Sequence, residues 1–259
     1  AVHEVAKAGI ARTFQNIRLF AEMGWQTLSA MDETLGAGSL LGRETRGEVV
    51  LVERLRSALC RLNASLPPEA IQTAIDALTR DRSAMPLAAA NRELYALLKD
   101  GITVSVPDNA QGEQSTERLR VVDWECPENN DFLLVSQFSV TGAMYKCRPD
   151  LVGFVNGLPW VVIEPKKPCV PARAAFDDSL SHYKQQIPAL FWSNALLIAS
   201  NGTDSRVGTL TADWGRWAEW KRVEREDEPR RVSLEVMLRG TCQPARLLDL
   251  VENFTLFSE

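Results

Sequence analysis

The chain is poor in the residues that hold zinc. Its 259 residues include two histidines, His3 and His182, and five cysteines with no CxxC pair. Cys60, Cys126, Cys147, Cys169 and Cys242 lie far apart and are odd in number, which argues against both a zinc site and a disulfide framework and fits a reducing cytoplasm. No apolar run approaches the ~18 residues of a membrane helix, so no membrane partner is expected. The phosphate-gripping pattern GxxxxGK[ST] occurs nowhere, so ATP cannot be held in the usual way. There is no excess of positive charge either: the formal net charge is −5, and any nucleic-acid contact needs a local basic patch.

What the chain does have is an ordinary globular composition, 45% hydrophobic and 24% charged, and one informative stretch, RPDLVGFVNGLPWVVIEPKKP at 148–168. Asn156-Gly157 between two apolar, β-rich runs is a strong hairpin signal. Glu164 and Lys166, two apart on the second strand, share a face. Whether Asp150 joins them depends on register. A two-residue loop pairs Val155 with Leu158 and sets Asp150 opposite Ile163, on the wrong face. A three-residue loop, or a bulge with the same effect, sets Asp150 across from Glu164, and that register is the one expected. Two carboxylates and an ammonium then meet at one strand end. Carboxylates that close repel unless a cation lies between them, and oxygen ligands with open water positions suit magnesium, which can activate water for attack on a phosphate. The plainer alternative is a buried ion-pair cluster.

Asp150 after a proline, followed by Glu164-x-Lys166, resembles the PD-(D/E)xK nuclease pattern. Together with ENNDF at 128–132, FVNGLPWVVIEPKKP, QQIPALFWSN at 185–194 and IASNGTDSRVGTL at 198–210, it resembles the N-terminal nuclease domain of the restriction (R) subunit of type I restriction-modification enzymes, from about Gly24 onward. The resemblance implies an endonuclease that cuts double-stranded DNA with Mg2+. Asp150 and Glu164 would hold the metal, and Lys166 would orient or help activate water. It implies modification and specificity subunits as partners, and ATP used only through a motor domain outside this chain. Two residues depart from the family's habit: Ser179, where a glutamine often precedes Tyr183 by four, and Pro165, where an apolar residue is usual. Proline removes a ladder bond, so the strand should be at an edge or leaving the sheet there. The alternative function is an inactive or truncated DNA- or subunit-binding module.

The expected fold is α/β, a mixed sheet flanked by helices with a restriction-endonuclease-like core. Its expected parts are an atypical segment at 1–22, a helical preface at 23–90, the nuclease core at 91–222, and a linker with the start of a missing motor domain at 223–259. The segment 1–22 carries AGIARTFQNIRLF, similar to the Q-loop region of ATP-binding cassette proteins at Gln15; its periodicity suits a helix with Ile10, Phe14, Ile17 and Ala21 inward. Helices are expected over 48–62, from Pro67-Pro68, and from an Asn91 cap to Gly101; strands over 102–106, 119–124, 132–140, 195–199 and 207–211; and a helix over 172–186. Glu53 and Glu93 are weighed as helical metal ligands or solvated faces. Lys167, Arg173, Tyr183 and Lys184 are candidate DNA contacts, and His182 a less favoured general base. Trp214, Trp217 and Trp220 either stack on bases or dock on a neighbouring domain. A last amphipathic helix is expected over 247–257, after a charge-mixed linker at 224–231.

Overall fold

The computed structural model describes residues 16–107, 114–142 and 144–257. At its centre is a six-stranded mixed sheet, in the order β1 (Gln26–Ser29), β4 (Phe132–Ser136), β7 (Leu151–Val155), β8 (Leu158–Pro165), β9 (Leu196–Ser200) and β10 (Ser205–Gly208). β4, β7 and β8 form an antiparallel meander, whereas β9 runs parallel to β8. A parallel neighbour requires a crossover, supplied by a π-helical stretch Ala175–Leu180 that continues into α5 (Ser181–Gln186). Two short ribbons stand apart: β2 (Ile102–Pro107) with β3 (Gln114–Leu119), and β5 (Val140–Thr141) with β6 (Lys146–Cys147).

Every residue of β4 and β7 is buried, and so is β8 up to Glu164, because both faces of the sheet are covered. One face carries Leu151, Val161 and Ile163 into a core shared with α2 (Val52–Leu62), α3 (Pro68–Thr79), α4 (Leu87–Asp100), α6 (Ser233–Cys242) and α7 (Pro244–Phe254). The other carries Val152, Phe154 and Val162 against Ala175, Leu180 and Leu190. Among the described residues no helix is long and apolar enough to cross a membrane.

Several expectations are corrected. The region read as a helical preface also supplies β1, a short polar strand whose pairing with β4 is parallel and distant in sequence, so no local pattern announces it. Before it, 16–22 is helical (α1), but Leu19 and Phe20 are buried and Ala21 is exposed; Ile10 and Phe14 lie outside the described residues. Asn91 does not cap α4. It lies inside the helix and its amide donates to the carbonyls of Trp192 and Asn194 at 3.0 and 2.9 Å. The strand read over 119–124 ends where it was expected to begin, since β3 pairs in full with β2. The helix expected over 172–186 is π-helical through its middle, and the charged stretch at 224–231 leads into α6. The tryptophans pack within this chain: Trp214 starts a 3-10 turn against the α5-face core, Trp217 is buried there and donates to Ala212 O, and Trp220 packs on the helical core.

Candidate active site

The hairpin resolves its register with a bulge. Asn156 and Gly157 form a two-residue turn, both with positive φ (50° and 79°), and Val155 pairs with Leu158. After Phe154–Pro159 the ladder slips: Gly153 pairs with Val161, leaving Trp160 as the extra residue. Trp160 turns into the helical core beside Val161. Gly153 makes the slip possible, because a Cβ there would stand 3.1 Å from the Trp25 ring and 3.3 Å from Val161. The carbonyl freed at Trp160 accepts from Ala195 N–H at 2.7 Å and from the Asn194 amide at 3.0 Å. Leu151 then pairs with Ile163, so Asp150 comes next to Glu164, on the α5 face. The register is the expected one, reached by the bulge rather than by a longer loop.

Pro165 fits its place. Lys166 N–H donates to Ser200 O at 2.6 Å, toward β9. By alternation the missing N–H of Pro165 points the other way, where β7 has already ended at Leu151.

At this strand end Lys166 Nζ lies 3.1 Å from Glu164 Oε1 and 2.5 Å from Ser179 Oγ. The Tyr183 hydroxyl reaches Glu164 Oε1 at 3.5 Å. Glu164 is 4% exposed, and its second oxygen, Oε2, is buried without a hydrogen-bond partner. Asp150 is held by a residue that the sequence reading passed over. Gln137 Nε2 donates to Asp150 Oδ1 at 2.7 Å, and Gln137 N–H donates to Asp150 O at 2.8 Å. A glutamine just past an apolar strand carries no signal of such a role.

The electrostatics follow from burial. Burial pushes the Asp150 carboxyl above the usual carboxylate range, against the Gln137 hydrogen bond and the charges of Lys166 and Arg148. Burial, then the Asp150 charge, pushes Glu164 up, while Lys166 and Ser179 pull it down. The same two causes, burial and the nearby carboxylates, raise the Tyr183 phenol and keep it a donor.

The remaining candidates scatter. Lys167 is exposed just beyond β8. Arg173 is exposed and pairs with Asp177 at 2.9 Å. Lys184 turns away from solvent: its ammonium donates to Leu210 O at 2.7 Å and lies 5.7 Å from the Phe176 ring centre, and burial lowers its pKa. His182 is exposed, between the rings of Tyr145 and Tyr183. Glu93 is taken by Arg80 and Arg82, and Glu53 is exposed on α2, whose start packs on the hairpin turn at the far end from Glu164; neither joins the site.

Known proteins point the same way. The sequence model of the family described as "Type I restriction enzyme R protein N terminus" matches residues 12–216. The chain is 36% identical over 242 residues to the type I restriction enzyme HindI endonuclease subunit of Haemophilus influenzae, covering 91% of this chain and 23% of that protein. It is 27% identical over 239 residues to a putative type I restriction enzyme MjaIXP endonuclease subunit of Methanocaldococcus jannaschii, covering 83% and 22%. The chain thus spans about a quarter of the length of these relatives. With most of its length matched, and a mixed sheet that presents Asp150, Glu164 and Lys166 together, the chain belongs to the family of type I restriction enzyme R protein N-termini.

Proposed function

We propose that this chain is the nuclease part of a type I restriction endonuclease subunit and cleaves double-stranded DNA in a magnesium-dependent reaction. The observation that carries the reading is the buried, unpartnered Oε2 of Glu164, on the same face as Asp150 and beside Lys166. A carboxylate oxygen with no donor, next to a second carboxylate, is a costly arrangement unless a cation completes it. Only two acidic side chains are close, and among the described residues no group of three or more His, Cys, Asp or Glu could hold a metal. That donor set suits an ion that keeps most of its waters, as magnesium does, and not one needing an all-protein cage.

Asp150 and Glu164 would hold the ion. Bound there, it supplies Lewis acidity toward a phosphate oxygen and a more acidic water. Lys166, held between Glu164 Oε1 and Ser179 Oγ, keeps a proton-bearing donor aimed at the site, where it orients the attacking water and offsets charge developing on the phosphate. The Tyr183 hydroxyl donates to the same Glu164 oxygen, Oε1, and so leaves Oε2 free. Exposed Lys167 and Arg173 are the basic residues suited to the DNA backbone; Lys184, already bonded to a carbonyl, instead braces the helix.

The family reading extends to the whole assembly: modification and specificity subunits as partners, and ATP-driven translocation by parts of the protein outside this chain, acting on DNA in the cytoplasm. Plasmid nicking in Mg2+ tests the core of the proposal. Wild type should nick, and Lys166→Ala should lose about two orders of magnitude or more, as for removal of a positioned acid–base group. No nicking by wild type would leave the alternative, a binding module of the same family.

A further inference from the structure

We infer that Gln137 is a positioning residue for Asp150: its amide occupies one carboxylate oxygen and so presents the other to a divalent ion shared with Glu164. The inference rests on reading Asp150 and Glu164 as an ion site. Among the described residues Gln137 and Asn156 are the two non-glycine residues with positive φ, at 58° and 50°. For Asn156 the reason is local, since it sits in the hairpin turn and its side chain bonds Val121 O, Asn130 and Asp131 N–H. Glutamine has no such local gain, and a left-handed residue of this kind costs on the order of 1 kcal/mol.

The kink's effect is visible in the facing of the side chains. Leu133 and Val135 of β4 point to the α5 face, so alternation brings Gln137 there too. In a regular strand Phe138 would then turn to the opposite face. Instead it is fully buried on the α5 face, with its ring 5.2 Å from that of Phe154. The left-handed residue lets two consecutive side chains serve one face: Phe138 anchors the backbone and Gln137 reaches Asp150. Ser136 pairs with Leu151, so Gln137 extends the ladder by one step, and both its N–H and its amide are spent on Asp150, at 2.8 and 2.7 Å. No other described residue hydrogen-bonds Asp150 Oδ1 or Oδ2.

The chemistry favours an amide at this position. A lysine or arginine would neutralise Asp150 and compete with a cation. An amide fixes the carboxylate's rotation while leaving its full charge for the ion, the role that neighbours of metal ligands commonly play.

The test is a titration of manganese(II) into the chain without DNA, with free ion counted by electron paramagnetic resonance. Asp150→Ala should abolish site binding. Gln137→Gly keeps the backbone N–H, and relief of the left-handed strain offsets part of the lost amide bond, so its melting temperature should stay within a few degrees of wild type, yet its manganese affinity should fall by about tenfold or more. Gln137→Asn tolerates the same backbone but is one methylene short, and should show the same loss. Wild-type affinity in both Gln137 variants, with Asp150→Ala still defective, overturns the inference and leaves the site reading intact. If wild type and Asp150→Ala bind manganese alike, both fall.

Discussion

Lys166 Nζ and Ser179 Oγ are 2.5 Å apart, the closest polar contact at the strand end. Ser179 stands four residues before Tyr183, on the π-helical stretch that crosses from β8 to β9. A π-turn advances the chain differently from an α-turn, and such turns recur at functional sites. A hydrogen bond to a charged group is worth roughly 1.5–3 kcal/mol. Ser179→Ala should therefore slow plasmid cleavage by about tenfold and lower the melting temperature by a few degrees. Ser179→Gln, the residue common in the family, should retain activity. A Ser179→Ala enzyme as fast as wild type would show that Lys166 needs only Glu164.

The two carboxyls should set a pH-dependent stability of unusual sign. Asp150 and Glu164 both have folded-state pKa values raised above their ordinary ones. Such a group takes up a proton on folding, so its ionisation costs stability. That cost is absent below the ordinary carboxylate range and grows as pH rises through the raised values. In EDTA, Asp150→Asn should melt with wild type near pH 4 and above it at pH 7–8. Saturating magnesium should reverse the order, since ligand at 100 times its Kd adds about 2.7 kcal/mol to wild type only. Scanning calorimetry with and without the ion decides it.

Much of this site was legible in the sequence, and the limits are physical. The Asn-Gly turn and the two-residue spacing of Glu164 and Lys166 are local, so pattern alone found them. The need for Asp150 to face them predicted a register change. That Trp160 would be the extra residue depends on Gly153, Trp25 and the 193–195 segment, which come together only in the folded chain. β1 and α6 were missed because one is polar and paired at long range, and the other follows a charged run that reads as linker. Gln137 was missed because nothing in SQF signals a left-handed residue. The bond from Lys184 to the Leu210 carbonyl is a contact 26 residues apart that a lysine's charge does not announce.

Salt dependence should separate the basic residues. Each phosphate contact contributes about one unit to the slope of log K against log salt. Lys167→Gln should flatten the slope for duplex binding by about one. Lys184→Gln should leave the slope unchanged and lower the melting temperature, because Leu210 O loses its donor. Binding isotherms from about 50 to 200 mM salt, made with Asp150→Ala protein to prevent cutting, would show it. A flattened slope for Lys184→Gln would return that residue to the DNA interface.

The hairpin turn should be as sensitive as the site it serves. Gly157 has φ 79°, and a Cβ there would stand 2.5 Å from Leu51 O and 2.7 Å from Leu55 N, at the start of α2. Backbone on both sides leaves no soft partner to give way. Gly157→Ala should cost about 2 kcal/mol or more, from the left-handed backbone and the clash together. Urea denaturation measures this directly, and a loss under about 0.5 kcal/mol would mean that α2 can shift off the turn.

The bulge at Trp160 also means that the two halves of β8 count in opposite parity. Taking Trp160 into a straight ladder at full length would leave the turn unchanged, yet it would face Asp150 with Ile163 and turn Glu164 and Lys166 to the sheet's other side. Excising Trp160 would instead restore plain alternation and keep Asp150 across from Glu164, so a one-codon deletion there should spare the ion site and lose the tryptophan's packing in the helical core. A one-codon deletion beyond the bulge, between Val161 and Ile163, should be far more damaging, because it shifts the parity of Glu164 and Lys166 relative to Asp150.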